Sequence, residues 1–367
     1  MTFSPFSLPK YPVKSDMWQV LKNEKRPIVI YGMGNGADKL IARFSELNIE
    51  FSDIFASDGF VRGHSFHGIR VKSFSEIKEL YPEFVIVLSF ASNREEVLAL
   101  LSEIDGKYDM LIPDMPVAGE EYFDSNFCNA HYQEILSAFS SLQDEESKNT
   151  FAAVVNYKLS GKLSDLLSVY ATKDELYSLI SSRKNIQSYV DGGAYNGDTL
   201  KEALCYFPDL KEATLIEPDK RSFKKLSTFA DTVFEKKLNL YNAALWSSDG
   251  VVSFISSGNR NSSINSTASH ENKTVETERI ALDKIANQKI DFIKYDVEGA
   301  ELEALLGSDL TIKRDKPVLL VSAYHRSSDV FSLVNYLRES YPFYKIYMRR
   351  LRCVPAWELD IIAIPDK

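Results

Sequence analysis

The stretch "YVDGGAYNGDTL", residues 189–200, decides the reading of the fold. An apolar lead, Tyr189 and Val190, ends on an acid, Asp191. Gly192, Gly193 and Gly197 then crowd a turn with Asn196 and Asp198, and a helix-like stretch follows. The strand delivers Asp191 to its carboxyl end. Gly193 and Gly197 let the backbone turn tightly and let a ligand approach. The helix after them starts with unpaired N–H groups. In open α/β sheets ligands bind at this edge, at the switch point of the strand order.

The next strand ends in "LIEPD", residues 215–219, which puts Glu217 at its tip. An acid about 20 residues beyond a glycine loop is the usual holder of ribose hydroxyls. Its carboxylate accepts charge-assisted hydrogen bonds from a vicinal diol. The ligand is therefore adenosine-like. A dinucleotide fingerprint would read G-x-G-x-x-G, with a pyrophosphate on the helix N-terminus. "DGGAYNGD", residues 191–198, departs from that pattern, and Asp198 would repel a pyrophosphate. A cationic sulfonium with an amino-acid tail tolerates acids better, with Asp191 facing its ammonium group. The loop favours S-adenosylmethionine over NAD.

Two runs of alternating strand and helix flank a helical middle. The first holds "PIVIYGMGNG" (27–36), "FSDIFASD" (51–58) and "FVIVLSF" (84–90), with helical spacing between them, and predicts a small parallel sheet. Residues 119–187 are helical by period. Asp144 and Glu145 suit a helix start and Gly161 a helix end. The second run begins at Ser188 and closes on "FYKIYMRRL" (343–351) and "ELDIIAIP" (358–365), which read as a hairpin at the sheet edge. "VVSFISS" and "TVETERI" flank a polar loop at 257–273 and look like an inserted strand pair; the loop is long enough to be functional. The expected class is α/β. A smaller Rossmann-like domain (1–118) and a helical connector (119–187) precede a mostly parallel Rossmann-like sheet with an antiparallel edge hairpin (188–367).

The 367 residues carry a net charge of -9, which argues against a nucleic-acid footprint. The basic patch "RRLRC", 349–353, reads as a solvated strand end. Cys128, Cys205 and Cys353 have no metal-binding or disulfide spacing, and a reducing cytoplasm fits them. The first residues lack the apolar segment of a signal peptide, and no stretch approaches the ~20 apolar residues of a membrane span.

The stretch "DFIKYDVEGAELEALLG", 291–307, ends a strand on Asp296 and follows it with Glu298, Gly299, Glu301 and Glu303. With "VDGGAYNGDT", "IEPD" and "YHR", it resembles the FkbM family of S-adenosylmethionine-dependent O-methyltransferases over roughly residues 188–365. The segment "DEESKNTFAAVVNYKLSG" (144–161) resembles the helical segment before this domain in longer members. The resemblance implies a class I methyltransferase sheet and methylation of a hydroxyl on a sugar or polyketide-type substrate. Carried over by position, the cofactor set is Asp191, Gly193, Ala194, Tyr195, Gly197, Glu217, Pro218, Asn242, Ala243 and Asp296. Tyr195 departs from the Asn common at its position. Asp296, Glu298 and Glu301 are placed at the reaction edge.

Methyl transfer from a sulfonium is an in-line displacement in which positioning dominates. A hydroxyl acceptor calls for a positioned base. Asp296 and His325, at the ends of adjacent strands, are the two candidates, and a neutral His suits pH 7 better. Asp296, Glu298 and Glu301 with His325 also suit a hard cation. Acids holding sugar hydroxyls account for the same residues, and no metal is assigned. Lys294, inside a buried strand, needs a partner: Glu298, Glu217 or Asp296.

The first domain carries Gly32, Gly34 and Gly36 in "IYGMGNGADKL", with Asp58 beyond the next strand. Three readings compete for it: a nucleotide-sugar site, a docking or dimer module giving a homo-oligomer, and an NAD site. His64 and His67 belong to a loop and are not read as ligands. The leading function is a cytoplasmic O-methyltransferase of glycan or glycolipid precursors. Its rivals are an NAD-dependent sugar oxidoreductase or epimerase and a non-catalytic nucleotide-binding protein.

Overall fold

The computed structural model describes residues 7–61, 63–182, 185–233, 237–256 and 273–366. Its first sheet is parallel. Strands β1 (Ile28–Tyr31) and β2 (Asp53–Ala56) are followed by a small hairpin, β3 (Ser65–Phe66) and β4 (Ile69–Arg70), then β5 (Lys72–Ser73), β6 (Val85–Leu88) and β7 (Asp109–Leu111). The order is β5-β2-β1-β6-β7. β1, β2 and β6 are buried throughout, which is why they read as unbroken apolar runs rather than alternating ones. Gly36 serves packing: a Cβ there would lie 2.0 Å from the Ser89 carbonyl oxygen.

The helical middle holds the two sheets together. Helix Glu145–Ser160 starts on Asp144, whose side chain accepts from the Ser147 N–H, and stops on Gly161 at φ 67°. Phe151 to Val155, Tyr157 and Leu159 are all buried, and a helix apolar on nearly every side belongs inside a core. One apolar cluster runs from Val29 and Ile86 through Phe151 and Val154 to Ile293 and Val321. The parts are therefore packed on a shared core.

The second sheet consists of β8 (Ser188–Gly192), β9 (Glu212–Ile216), β10 (Lys237–Tyr241), β14 (Phe292–Tyr295), β15 (Val318–Ser322), β16 (Tyr344–Arg350) and β17 (Leu359–Pro365). Between them, β11 (Ala244–Leu245), β12 (Gly250–Ser256) and β13 (Lys273–Ile280) form a separate small sheet. The large sheet runs β10-β9-β8-β14-β15-β17-β16, with β17 antiparallel to both neighbours. Its switch point lies between β8 and β14, beyond Gly192 and Tyr295. This is the mostly parallel α/β architecture expected, with β17 inserted inside the edge strand β16.

The basic patch is a correction. Arg349 and Arg350 are 6% and 2% exposed, not solvated. Arg349 pairs with Asp144 and Glu146. Arg350 donates to the carbonyls of Val169, Leu166 and Cys353 at 3.0, 2.6 and 2.7 Å, tying the connector to the tail hairpin. Local charge density in the sequence cannot tell a solvated cluster from guanidinium groups that satisfy buried carbonyls.

Candidate functional site

The turn after β8 is built on three left-handed residues: Gly193, Tyr195 and Gly197 at φ 84°, 46° and 88°. Gly193 is required by contact, since a Cβ there would lie 1.9 Å from the Asp296 carbonyl oxygen. Gly197 lies against the Phe229 ring, 2.4 Å from a virtual Cβ. The N–H groups of Gly193 and Ala194 both donate to the Ile216 carbonyl, which pulls the turn beside Glu217. There the Glu217 carboxylate accepts from the Tyr195 N–H on one oxygen and the Asp219 N–H on the other, each at 2.8 Å. The Asn242 amide donates to the Glu217 and Pro218 carbonyls. Glu217 is 6% exposed, and burial raises its pKa to about 7 against the pull of those two N–H groups.

A cleft of about 1000 Å³ opens over this edge, at the upper end of ligand-pocket sizes. Gly193, Tyr195, Glu217, Pro218, Asp296 and Glu298 line it. Asp191, Ala194, Gly197, Asn242, Ala243 and His325 do not line it. Asp191 is the clearest correction. It is fully buried, so it does not face an ammonium group in the cleft. Parallel register puts it beside Lys294 instead. The Lys294 ammonium stands 3.6 Å from Asp191 Oδ1 and 3.2 Å from Asp296 Oδ2. Burial works against that ammonium, but the two acids outweigh it and hold the charge. Asp296 was among its expected partners; Asp191 was missed because cross-strand register is not written in the sequence.

His325 is a second correction. Expected as a neutral base in the cleft, it has no exposed surface. Its Nδ1 is 2.9 Å from Glu301, and its Nε2 is 3.6 Å from Asp296 and 3.5 Å from Glu298. Burial disfavours the imidazolium, but Glu301, Glu298 and Asp296 together raise its pKa to about 10, so it is charged at neutral pH. Glu298, in the left-handed region at φ 55°, has burial as the main cause of a pKa pushed up to about 8. Asp296 is the opposite case. Burial would raise it, but Lys294 and His325 prevail and hold it below the ordinary carboxylate range.

The segment after β7 straps this turn down. The Val117 and Ala118 N–H groups donate to the His325 carbonyl, and Ser327 donates to the Glu121 carbonyl. The first domain also reaches the cleft directly. Ser92 pairs with Val354 in both directions, and Ala91, Ser92, Asn93 and Glu95 form part of the wall. Tyr170, Arg352 and Trp357 face it from the connector and the tail hairpin. The tail hairpin and the first domain were expected to contribute to the pocket, but no motif in the sequence singles out these residues. Trp357, beside Pro355 in the hairpin loop, carried the one usable signal. Residues 257–272 of the polar loop, long enough to be functional, lie outside the described residues.

Glu217 can accept hydrogen bonds from a ligand in the cleft: it is anchored through two backbone N–H groups and keeps a lone pair on each oxygen. Among the described residues no helix is long and apolar enough to cross a membrane.

Residues 191–343 match the family described as the methyltransferase FkbM domain. The chain is similar in structure to the methyltransferase FkbM from Methylobacillus flagellatus KT, at 20% identity and a TM-score of 0.68, over 96% of this chain and 94% of that one. That likeness shows a shared fold over nearly the whole length, both sheets included. A looser likeness is to an rRNA methylase from Streptococcus thermophilus, at 10% identity and a TM-score of 0.34, over 53% of this chain and 93% of that one. No curated protein matches the chain.

Proposed function

From the FkbM methyltransferase domain at residues 191–343, we propose that this protein methylates a hydroxyl of a sugar, glycan or glycolipid precursor, with S-adenosylmethionine as donor. The observation that carries the reading is Glu217, its two oxygens held by the Tyr195 and Asp219 N–H groups at the cleft wall. So anchored, the carboxylate presents its remaining lone pairs to a ribose diol. Bound there, the donor supplies an electrophilic methyl group.

The chain's residues do the rest. Gly193 and Tyr195 border the donor with backbone. Lys294 keeps Asp296 ionised at the floor, where a carboxylate favours a cationic ligand. Glu298 takes the acceptor's proton, because a carboxyl with a pKa near operating pH is the better general base. His325, buried behind Asp296 and Glu298, stabilises the charge Glu298 carries when it is ionised. Tyr170, Tyr324 and Trp357 offer ring faces, and Asn93 an amide, of the kind that holds a sugar. A cytoplasmic setting accords with three cysteines that form no disulfide.

Calorimetry with S-adenosylmethionine on the wild type and Glu217→Ala tests the reading. Binding lost in the variant is expected; equal binding by both removes Glu217 from the site. No binding to the wild type, with and without candidate sugar acceptors, would sink the donor assignment.

A further inference from the structure

The basic patch at 349–353 holds a third arginine that packing leaves free. Arg349 and Arg350 are buried against acids and carbonyls, whereas Arg352 is exposed and lines the cleft. Two other cations line the cleft among the described residues, and both are neutralised. Lys173 pairs with Glu202 at 2.7 Å, and Lys294 pairs with Asp191 and Asp296. Arg352 has no ion pair and no hydrogen bond among the described residues. What it has is a ring: its guanidinium carbon stands 5.4 Å from the centroid of Tyr170, which also lines the cleft. A ring face attracts the charge without occupying a donor, so the N–H groups stay available for an acceptor that the protein does not supply.

Both residues stand on fixed backbone. Tyr170 lies between Val169, whose carbonyl accepts from Arg350 Nε, and Ala171, whose N–H donates to the Arg350 carbonyl at 2.8 Å. Arg352 lies between Leu351, whose N–H donates to the Glu358 carbonyl, and Cys353, whose carbonyl accepts from Arg350 Nη1. Buried Arg350 thus fastens the two segments that carry the exposed pair. A guanidinium held this way presents a planar fork that matches the paired oxygens of a carboxylate or phosphate.

The sheet sets the spacing. β16 runs parallel to β14, so Arg352 follows β16 at the edge where Asp296 and Glu298 follow β14. The order β14-β15-β17-β16 separates them by three strand intervals, about 14 Å at roughly 4.8 Å each. The arginine side chain spans part of that, which leaves room for about one sugar ring. Tyr324, after β15, and Trp357, before β17, line the cleft within this interval.

We propose that the acceptor is an acidic sugar whose phosphate or carboxylate, about one ring away from the methylated hydroxyl, is bound by Arg352 backed by Tyr170. This rests on the methyl-transfer reading for the place of that hydroxyl and narrows its substrate class. Arg352 is then the residue that selects charged acceptors over neutral ones.

The test is calorimetric titration of the full chain, at constant ionic strength, with inorganic phosphate, glucose 1-phosphate, glucuronate and glucose. Saturable binding of at least one of the three anions is expected, at least tenfold tighter than glucose and weakened at least tenfold in Arg352→Gln. Arg352→Lys, which keeps the charge and loses the fork, should recover only part of it. Lys224→Gln, an exposed lysine of helix Lys220–Ala230, should bind as the wild type does. Tighter binding of the phosphates marks a phosphorylated acceptor, and tighter binding of glucuronate a uronic acid. Circular dichroism melts establish that each variant is folded. Binding of none of the anions, or binding that survives Arg352→Gln, overturns the proposal. S-adenosylmethionine affinity of the wild type, measured separately, tells a failed anion site from a failed donor reading.

Discussion

Gly193 and Asp296 meet backbone to backbone: a Cβ on Gly193 would lie 1.9 Å from the Asp296 carbonyl oxygen. The turn after β8 and the reaction edge after β14 are thus one packed unit. Gly193 also sits at φ 84°. Gly193→Ala is therefore expected to cost more than about 1 kcal/mol of stability, the scale at which Ala fails where φ is positive. It should weaken S-adenosylmethionine binding as well. A melt and a calorimetric titration check both, and an unaltered melting temperature would show that the turn can open.

Glu217→Ala is expected to weaken S-adenosylmethionine binding by roughly 1.5–3 kcal/mol, the range for a hydrogen bond to a charged group. The wild type should also bind more weakly in acid. The acceptor form is the ionised one, and burial holds the Glu217 pKa at about 7. Between pH 8 and pH 6 the ionised fraction falls about tenfold, and affinity should follow it. Glu217→Gln should flatten this dependence.

Glu298→Gln is expected to keep donor affinity within a few-fold and lose roughly 10²–10⁴ in rate with an accepted sugar, the usual contribution of a general base. A rate loss under threefold would move proton removal elsewhere.

Stability is expected to fall as pH rises from about 5 to about 8. Glu217 and Glu298 titrate near 7 and 8 in the folded chain, and Asp329, also buried, near 7. Unfolded carboxyls titrate near 4. Over this window the folded state binds more protons, so the slope of unfolding free energy against pH is negative. His325, raised to about 10, continues the decline at higher pH. Melts across the range check it, and Glu298→Gln should shallow the slope.

Arg350→Met is expected to destabilise by on the order of 3 kcal/mol, because three buried carbonyls lose their donor. A chemical denaturation curve within about 0.5 kcal/mol of wild type would restore the solvated reading of that patch.

Much of the architecture was legible because burial on both faces writes itself as unbroken apolar strands, and turns write themselves as glycine. The strand ends at Asp191, Glu217 and Asp296 were readable for that reason. So were the cap at Asp144 and the stop at Gly161, since each answers a local need of the backbone.

What the sequence by itself determined is the set of strand-tip acids and the class of turn that presents them. Tertiary structure decided which acids face the cleft. Glu217, Asp296 and Glu298 do; Asp191 does not, because register sets it beside Lys294. It also decided that His325 is an imidazolium among three carboxylates rather than a neutral base, since the charge of a buried group depends on neighbours brought from other strands. And it placed Asn93, in the loop after β6, in the same wall as Trp357 of the tail. Residues so far apart in the chain share a surface only through packing, and no local pattern records it.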